Sequence, residues 1–171
     1  MPNCRKRAPE QASLDLAIEG MNILSNTLLL AIGQLTKEGI PVPERPPFPE
    51  RFAMRNHCRQ ILAASGLNVG ASRRETRRWV DTSYEATRRL LTVIEMMSSS
   101  RLETYRRVPF ETKFGFPSPL IFLEKAQTCE WGEYVDWAQD MSSSIVGSIV
   151  AQVDVLHDQL DHGQYSDGYR G

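Results

Sequence analysis

The chain has 171 residues, of which 41% are hydrophobic and 24% charged, enough for one domain with a real core and room for an extension. Basic Arg5, Lys6 and Arg7 have no apolar stretch directly behind them, which argues against a secretory signal, and three widely spaced cysteines (Cys4, Cys58, Cys129) form neither a disulfide framework nor a zinc pattern. The net charge of −1 conceals a division: residues 51–107 hold twelve arginines, no lysine and five acids, whereas residues 114–171 hold nine acids against Lys125 and Arg170.

In chain order, Ser13 is a good helix cap, with Asp15 in the first turn. Apolar residues then recur at helical spacing: Leu14, Ala17, Ile18, Met21, Leu24, Leu28, Ala31, Ile32 and Leu35. The apolar run Met21–Leu35 is interrupted by Asn22, Asn26, Thr27, Gly33 and Gln34. We read it as a buried helix, too polar and too short to cross a membrane. Gly39 and Pro41 stop it, and the five prolines of residues 40–49 make an extended linker. A second helix is expected from about Pro49 to Ser65, with Phe52, Met54, Cys58, Ile61 and Leu62 as its apolar side chains. Gly66 ends it.

A third helix should run from Ser72 or Arg73 to about Met97. Its stripe is Val80, Tyr84, Thr87, Leu91, Ile94 and Met97, with Asp81, Glu85, Arg88, Thr92 and Glu95 on a solvated face. Residues 105–117 are aromatic and irregular. Helical stretches follow at Pro119–Thr128, Trp131–Met141 and Ser142–Leu160, with Ser142–Ser144 capping the last. The run Ile145, Val146, Ile149, Val150, Val153 is also compatible with a strand, but the spacing 145, 149, 153, 156, 160 favours a helix. The fold expected is therefore all-α: a four-helix-bundle-like core over residues 1–117 and an acidic helical extension over 118–171 with a disordered tail.

Catalytic signatures are sparse. There is no Gly-rich phosphate loop, no Gly-x-Ser-x-Gly elbow and no His-Glu-x-x-His. His157, Asp158, Asp161 and His162 have i,i+4 spacing that would suit a metal, but this reads as polar pairing on a helix face. Glu130, Glu133, Asp136 and Asp140 read as the outer face of a helix whose tryptophans are core. No catalytic residue, metal or cofactor is assigned. The cysteines read as reduced thiols in a cytosolic setting.

The informative feature is the start of the third helix. Arg73, Arg74, Arg77 and Arg78 form two i,i+4 pairs of like charge at a helix N-terminus, where positive charge opposes the macrodipole. A bound anion would relieve both penalties, and free N–H groups at a helix start themselves attract phosphate. Arginine's planar fork suits phosphate. Charge alone leaves open whether the anion is phosphate or the acidic third of this chain or of a neighbour.

The stretch Arg77-Arg78-Trp79-Val80-Asp81, then Ala86, Arg88, Tyr105, Arg107 and Phe110-Glu111, resembles the RNA-binding helix and C-terminal signature of the coat proteins of rod-shaped plant viruses, the tobamoviruses and furoviruses. Thr112-Lys113-Phe114-Gly115-Phe116 is similar to the furovirus-like ending, and Phe48-Pro49, Phe52 and Arg55 to the segment leading into the RNA-side helix. The resemblance covers about residues 48–117. Trp79 stands as an extra residue between the arginine pair and Val80, the region before the arginine helix is shorter than the family's, and residues 118–171 run past its usual end.

The resemblance implies a structural coat protein that assembles with copies of itself into a helical filament around single-stranded RNA, in a virion or host cytoplasm. Arg73, Arg74, Arg77, Arg78, Asp81 and Arg88 would form the RNA site. Tyr105, Arg107, Phe110 and Glu111 would form a structural motif at the outer end. The competing expectation is a non-catalytic adaptor, regulatory or dimerisation domain. In it the arginine face docks an acidic partner, and residues 24–66 resemble the N-terminal dimerisation region of fungal O-methyltransferases.

Overall fold

A computed structural model of the chain describes residues 9–43, 51–98 and 119–149. The protein is all-α, and among the described residues there is no strand. Four helices are α1 (Pro9–Lys37), α2 (Arg51–Ser65), α3 (Arg73–Ser98) and α4 (Pro119–Ala126); α5 occupies residues 131–149. Helix α3 lies along α1 and against α2, and α4 packs on both α1 and α2. Tyr105, Arg107, Phe110 and Glu111, most of the proline-rich linker and the His157–His162 cluster lie outside the described residues.

Helix α1 begins at Pro9, a turn earlier than Ser13 suggests, and proline is well tolerated in a first helical turn because its missing N–H had no helical partner to lose. Its end is sharply specified. Ile40 donates its N–H to the Leu35 carbonyl (3.1 Å) and Gly39 donates to Thr36 (3.0 Å), the paired bonds of a Schellman cap. Gly39 sits at φ 89° to make them, a conformation that costs other residues steric strain.

One hydrophobic cluster runs through every helix. Leu14, Ala17, Ile18, Met21, Leu24 and Leu28 of α1 meet Trp79, Val80, Ala86, Leu90, Val93 and Ile94 of α3. Phe122, Leu123 and Ala126 of α4 and Tyr134, Ala138, Ile145 and Ile149 of α5 belong to the same cluster. The apolar positions 134, 138, 145 and 149 stay in helical register through Ser142–Ser144. These serines therefore lie inside α5 rather than capping a separate helix, and Ser142 is buried. Over Ala12–Lys37, α1 is long and apolar enough by length and composition to cross a membrane, although its first five turns bury most of their apolar side chains in this core.

Two packing expectations differ from the structure. Phe52 is 70% exposed and contributes nothing to the core, because Met54, Cys58 and Leu62 define the inward side of α2. Thr92 and Glu95, expected on a solvated face, are buried, as is every residue from Leu90 to Met96. The open face of α3 thus ends at Arg88.

Candidate nucleic-acid interface

Ser72 fixes where α3 starts. Its hydroxyl accepts the Glu75 N–H (3.1 Å) and donates to the Glu75 carboxylate (3.0 Å), a variant of the capping box that satisfies an otherwise orphaned helix donor. This cap places Arg73, Arg74, Arg77 and Arg78 in the first two turns, all exposed. Glu75 is the only acid in the first turn.

Helix α2 supplies a second arginine row that sequence reading did not single out. Arg51, Arg55 and Arg59 recur every four residues. The indole N–H of Trp79 donates to the Cys58 carbonyl (3.2 Å), Arg55 Nη1 pairs with Asp81 Oδ1 (2.7 Å), and the Arg51 and Arg55 guanidiniums lie 5.7 and 5.9 Å from the Tyr84 ring centroid. Residue numbers fall on α2 as they rise on α3, so the helices are antiparallel. Arg51 therefore lies towards Arg88, and Arg59 towards Arg77 and Arg78. Cation–π contacts at exposed sites contribute on the order of 0.5–1 kcal/mol each, enough to bias the arginine stems toward Tyr84.

An open hollow of about 340 Å³ results, lined by Arg51, Arg55, Asp81, Tyr84, Glu85 and Arg88. Asp81 and Arg88, expected at the site, both line it, whereas Arg73, Arg74, Arg77 and Arg78, also expected there, do not and lie up to two turns earlier on α3. Asp81 is engaged with Arg55, and Glu85 with Arg89 (3.2 Å). Neither of these two ion pairs involves Arg51, Arg59, Arg73, Arg74, Arg77, Arg78 or Arg88, all of which are exposed. The surface is a bank of cations tethered at one point by Asp81.

The site offers little acid–base or nucleophilic chemistry. Cys58 lies behind it, and burial pushes its thiol up to about 11 despite the opposing pull of Arg55 and Arg59. It is therefore protonated at neutral pH and poorly nucleophilic. Glu130, just before α5, and Glu133, Asp136 and Asp140 on it are exposed. Trp137 is partly buried against the core, 5.2 Å from the Phe122 ring, and Trp131 is 55% exposed, so neither α5 tryptophan is a fully buried core residue. No group of three or more metal-ligating side chains is gathered among the described residues.

The exposed face of α2 and α3 can thus bind a polyanion through forked, charge-assisted hydrogen bonds. In comparisons with known proteins, no family model, no curated protein and no solved structure matches the chain.

Proposed function

We propose that this chain is a non-catalytic RNA-binding protein of the coat type, whose copies associate with one another and hold the phosphates of single-stranded RNA on the arginine face of α2 and α3. The observation that supports it most is the exposed arginine cluster at a capped helix start, facing a second arginine row on the antiparallel neighbour. Four cations at the positive end of a helix dipole carry a cost that a bound phosphate chain removes. Phosphate contacts carry no sequence information themselves, so one such face can hold RNA of any sequence. Support for self-association comes from apolar side chains turned outward: Leu29 and Leu30 on α1 (48% and 76% exposed) and Trp131 on α5.

The test is a salt titration of binding to a random single-stranded RNA. Arg77→Gln with Arg78→Gln should reduce the slope of log K against log salt by about 0.7 for each phosphate that is no longer neutralised. A folded double variant with an unchanged slope would remove the arginine helix from the site. Electron microscopy of protein concentrated with RNA should show rods or stacked discs.

A second reading is an adaptor that docks an acidic protein on the same face. It is favoured by the carboxylate of Asp81, already paired with Arg55 there. Tight binding to polyglutamate with none to RNA would select it.

A further inference from the structure

The arginine hollow has a neighbour of different chemistry. On the other side of Asp81 and Glu85, between α1 and α3, lies a second open hollow of about 360 Å³, lined by Asn22, Ser25, Asn26, Thr82 and Arg89 together with those two carboxylates. Arg89 forms its fixed floor. Its Nη1 donates to the Ser25 hydroxyl (2.7 Å) and to the Ser25 carbonyl (3.2 Å), while its Nε pairs with Glu85. That leaves the side-chain amides of Asn22 and Asn26, both exposed, and the Thr82 hydroxyl for a ligand. The ion pairs are made through Oδ1 of Asp81 and Oε1 of Glu85, and a carboxylate, with two oxygens and about four lone-pair sites, has acceptor capacity beyond one such contact.

One hollow is therefore cationic and aromatic, the other rich in neutral donors and acceptors, and Asp81 and Glu85 form the ridge they share. A nucleotide has the same order: an anionic phosphate, a ribose, then a base edge of neutral donors and acceptors. We propose that one nucleotide unit of bound RNA straddles this ridge, its phosphate among Arg51, Arg55 and Arg88 and its base edge between Asn22, Asn26 and the ridge carboxylates. This rests on the RNA-binding reading above and adds base selection to it.

The ridge dictates which base. Carboxylate oxygens accept hydrogen bonds, so they favour a base that presents an exocyclic amino group. Cytosine does so through N4. Uracil presents a carbonyl at the same position, which would face Asp81 and Glu85 acceptor to acceptor. Unstacked bases of single-stranded RNA are open to recognition on this edge. The asparagine amides hold the base in place against the ridge. The site thus prefers amino-bearing bases, cytosine over uracil, while the arginines bind the phosphates of both alike.

The experiment measures binding of equal-length oligo(C) and oligo(U) to the parent chain and to an Asn22→Ala/Asn26→Ala double variant, each across a salt series. Both substitutions are at exposed helical positions where alanine is the better helix former, and thermal unfolding checks that the fold is kept. The parent should bind oligo(C) about tenfold or more tightly than oligo(U), the scale of one well-made base contact. The double variant should lose that preference while keeping the parent's salt slope, because its phosphate contacts are intact. Equal affinity of the parent for both oligomers, or a preference that survives the double substitution, overturns the inference and leaves the phosphate site standing. Failure of the parent to bind either oligomer overturns the RNA reading and this inference together.

Discussion

Trp79→Ala should lower the unfolding free energy by about 3–5 kcal/mol, the range for truncating a buried large aromatic, and so lower the melting temperature by about 10 °C in a chain of this size. Trp79 has 0% exposure and heads the fully buried side chains by volume. It also does what no aliphatic residue could: its indole N–H donates across to the Cys58 carbonyl of α2. The two contributions separate experimentally. Trp79→Phe keeps most of the apolar packing and removes the hydrogen bond, which should cost about 1 kcal/mol beyond the change in volume. The Cys58 carbonyl has a second lone pair for its own helix, so that bond orients more than it stabilises.

The functional consequence follows from position. Cys58 lies between Arg55 and Arg59, and Trp79 adjoins Arg78, so this bond, together with the Arg55–Asp81 ion pair, holds the two arginine rows against each other. Trp79→Phe should therefore weaken RNA binding more than its small stability loss predicts. Chemical denaturation and RNA titration of the same two variants check both statements. A Trp79→Ala protein as stable as the parent would mean that Trp79 is not the joint between α2 and α3.

That residue also shows where sequence reading reaches its limit. As a string, Arg77-Arg78-Trp79-Val80 has a tryptophan interrupting a charged motif. In three dimensions Trp79 falls on the inward side of α3 with Ser83, Ala86 and Leu90. The existence of α1, α2 and α3 and the arginine helix start were legible, because each is written in local periodicity, capping residues and charge. The α2 arginines were less so: the spacing of Arg51, Arg55 and Arg59 puts them on one helix face but not at a helix start, and they join the site only because a short turn folds α2 back along α3. Asn22 and Asn26, conspicuous as interruptions of an apolar run, are the same kind of case. They mark the edge of α1 that looks out beside α3, a relation between residues more than fifty positions apart. Ser142–Ser144 misled in the opposite direction: cap-forming residues sit inside a helix because the apolar register on both sides outweighs local preference.

Gly20→Ala and Gly33→Ala should change stability in opposite directions, although both glycines lie within α1. Helix propensity alone favours alanine at either position by about 1 kcal/mol. At Gly33, which is exposed, an added Cβ meets nothing within 4 Å, so the propensity gain of about 0.5–1 kcal/mol should appear in full. At Gly20 the added Cβ would overlap the Tyr134 hydroxyl and stand 2.8 Å from its Cζ and 2.9 Å from Cδ1 of Phe122. These neighbours have nowhere to retreat. Tyr134 and Phe122 are both fully buried, the Tyr134 hydroxyl donates to the Phe122 carbonyl (3.2 Å), and the Tyr134 ring lies 5.5 Å from Trp137. Overpacking of a closed core costs about 1–3 kcal/mol, which exceeds the propensity gain, so Gly20→Ala should be destabilising on balance. Gly20 is thus the point where α1 admits α4 and α5 into the common core. Adding Tyr134→Phe to Gly20→Ala removes the overlapping hydroxyl and should recover part of the loss, a coupling that a double-mutant cycle by thermal unfolding would measure directly. If Gly20→Ala instead stabilises the protein as Gly33→Ala does, then α5 does not rest on α1 at this position, and the shared core of α1, α4 and α5 is wrongly assigned.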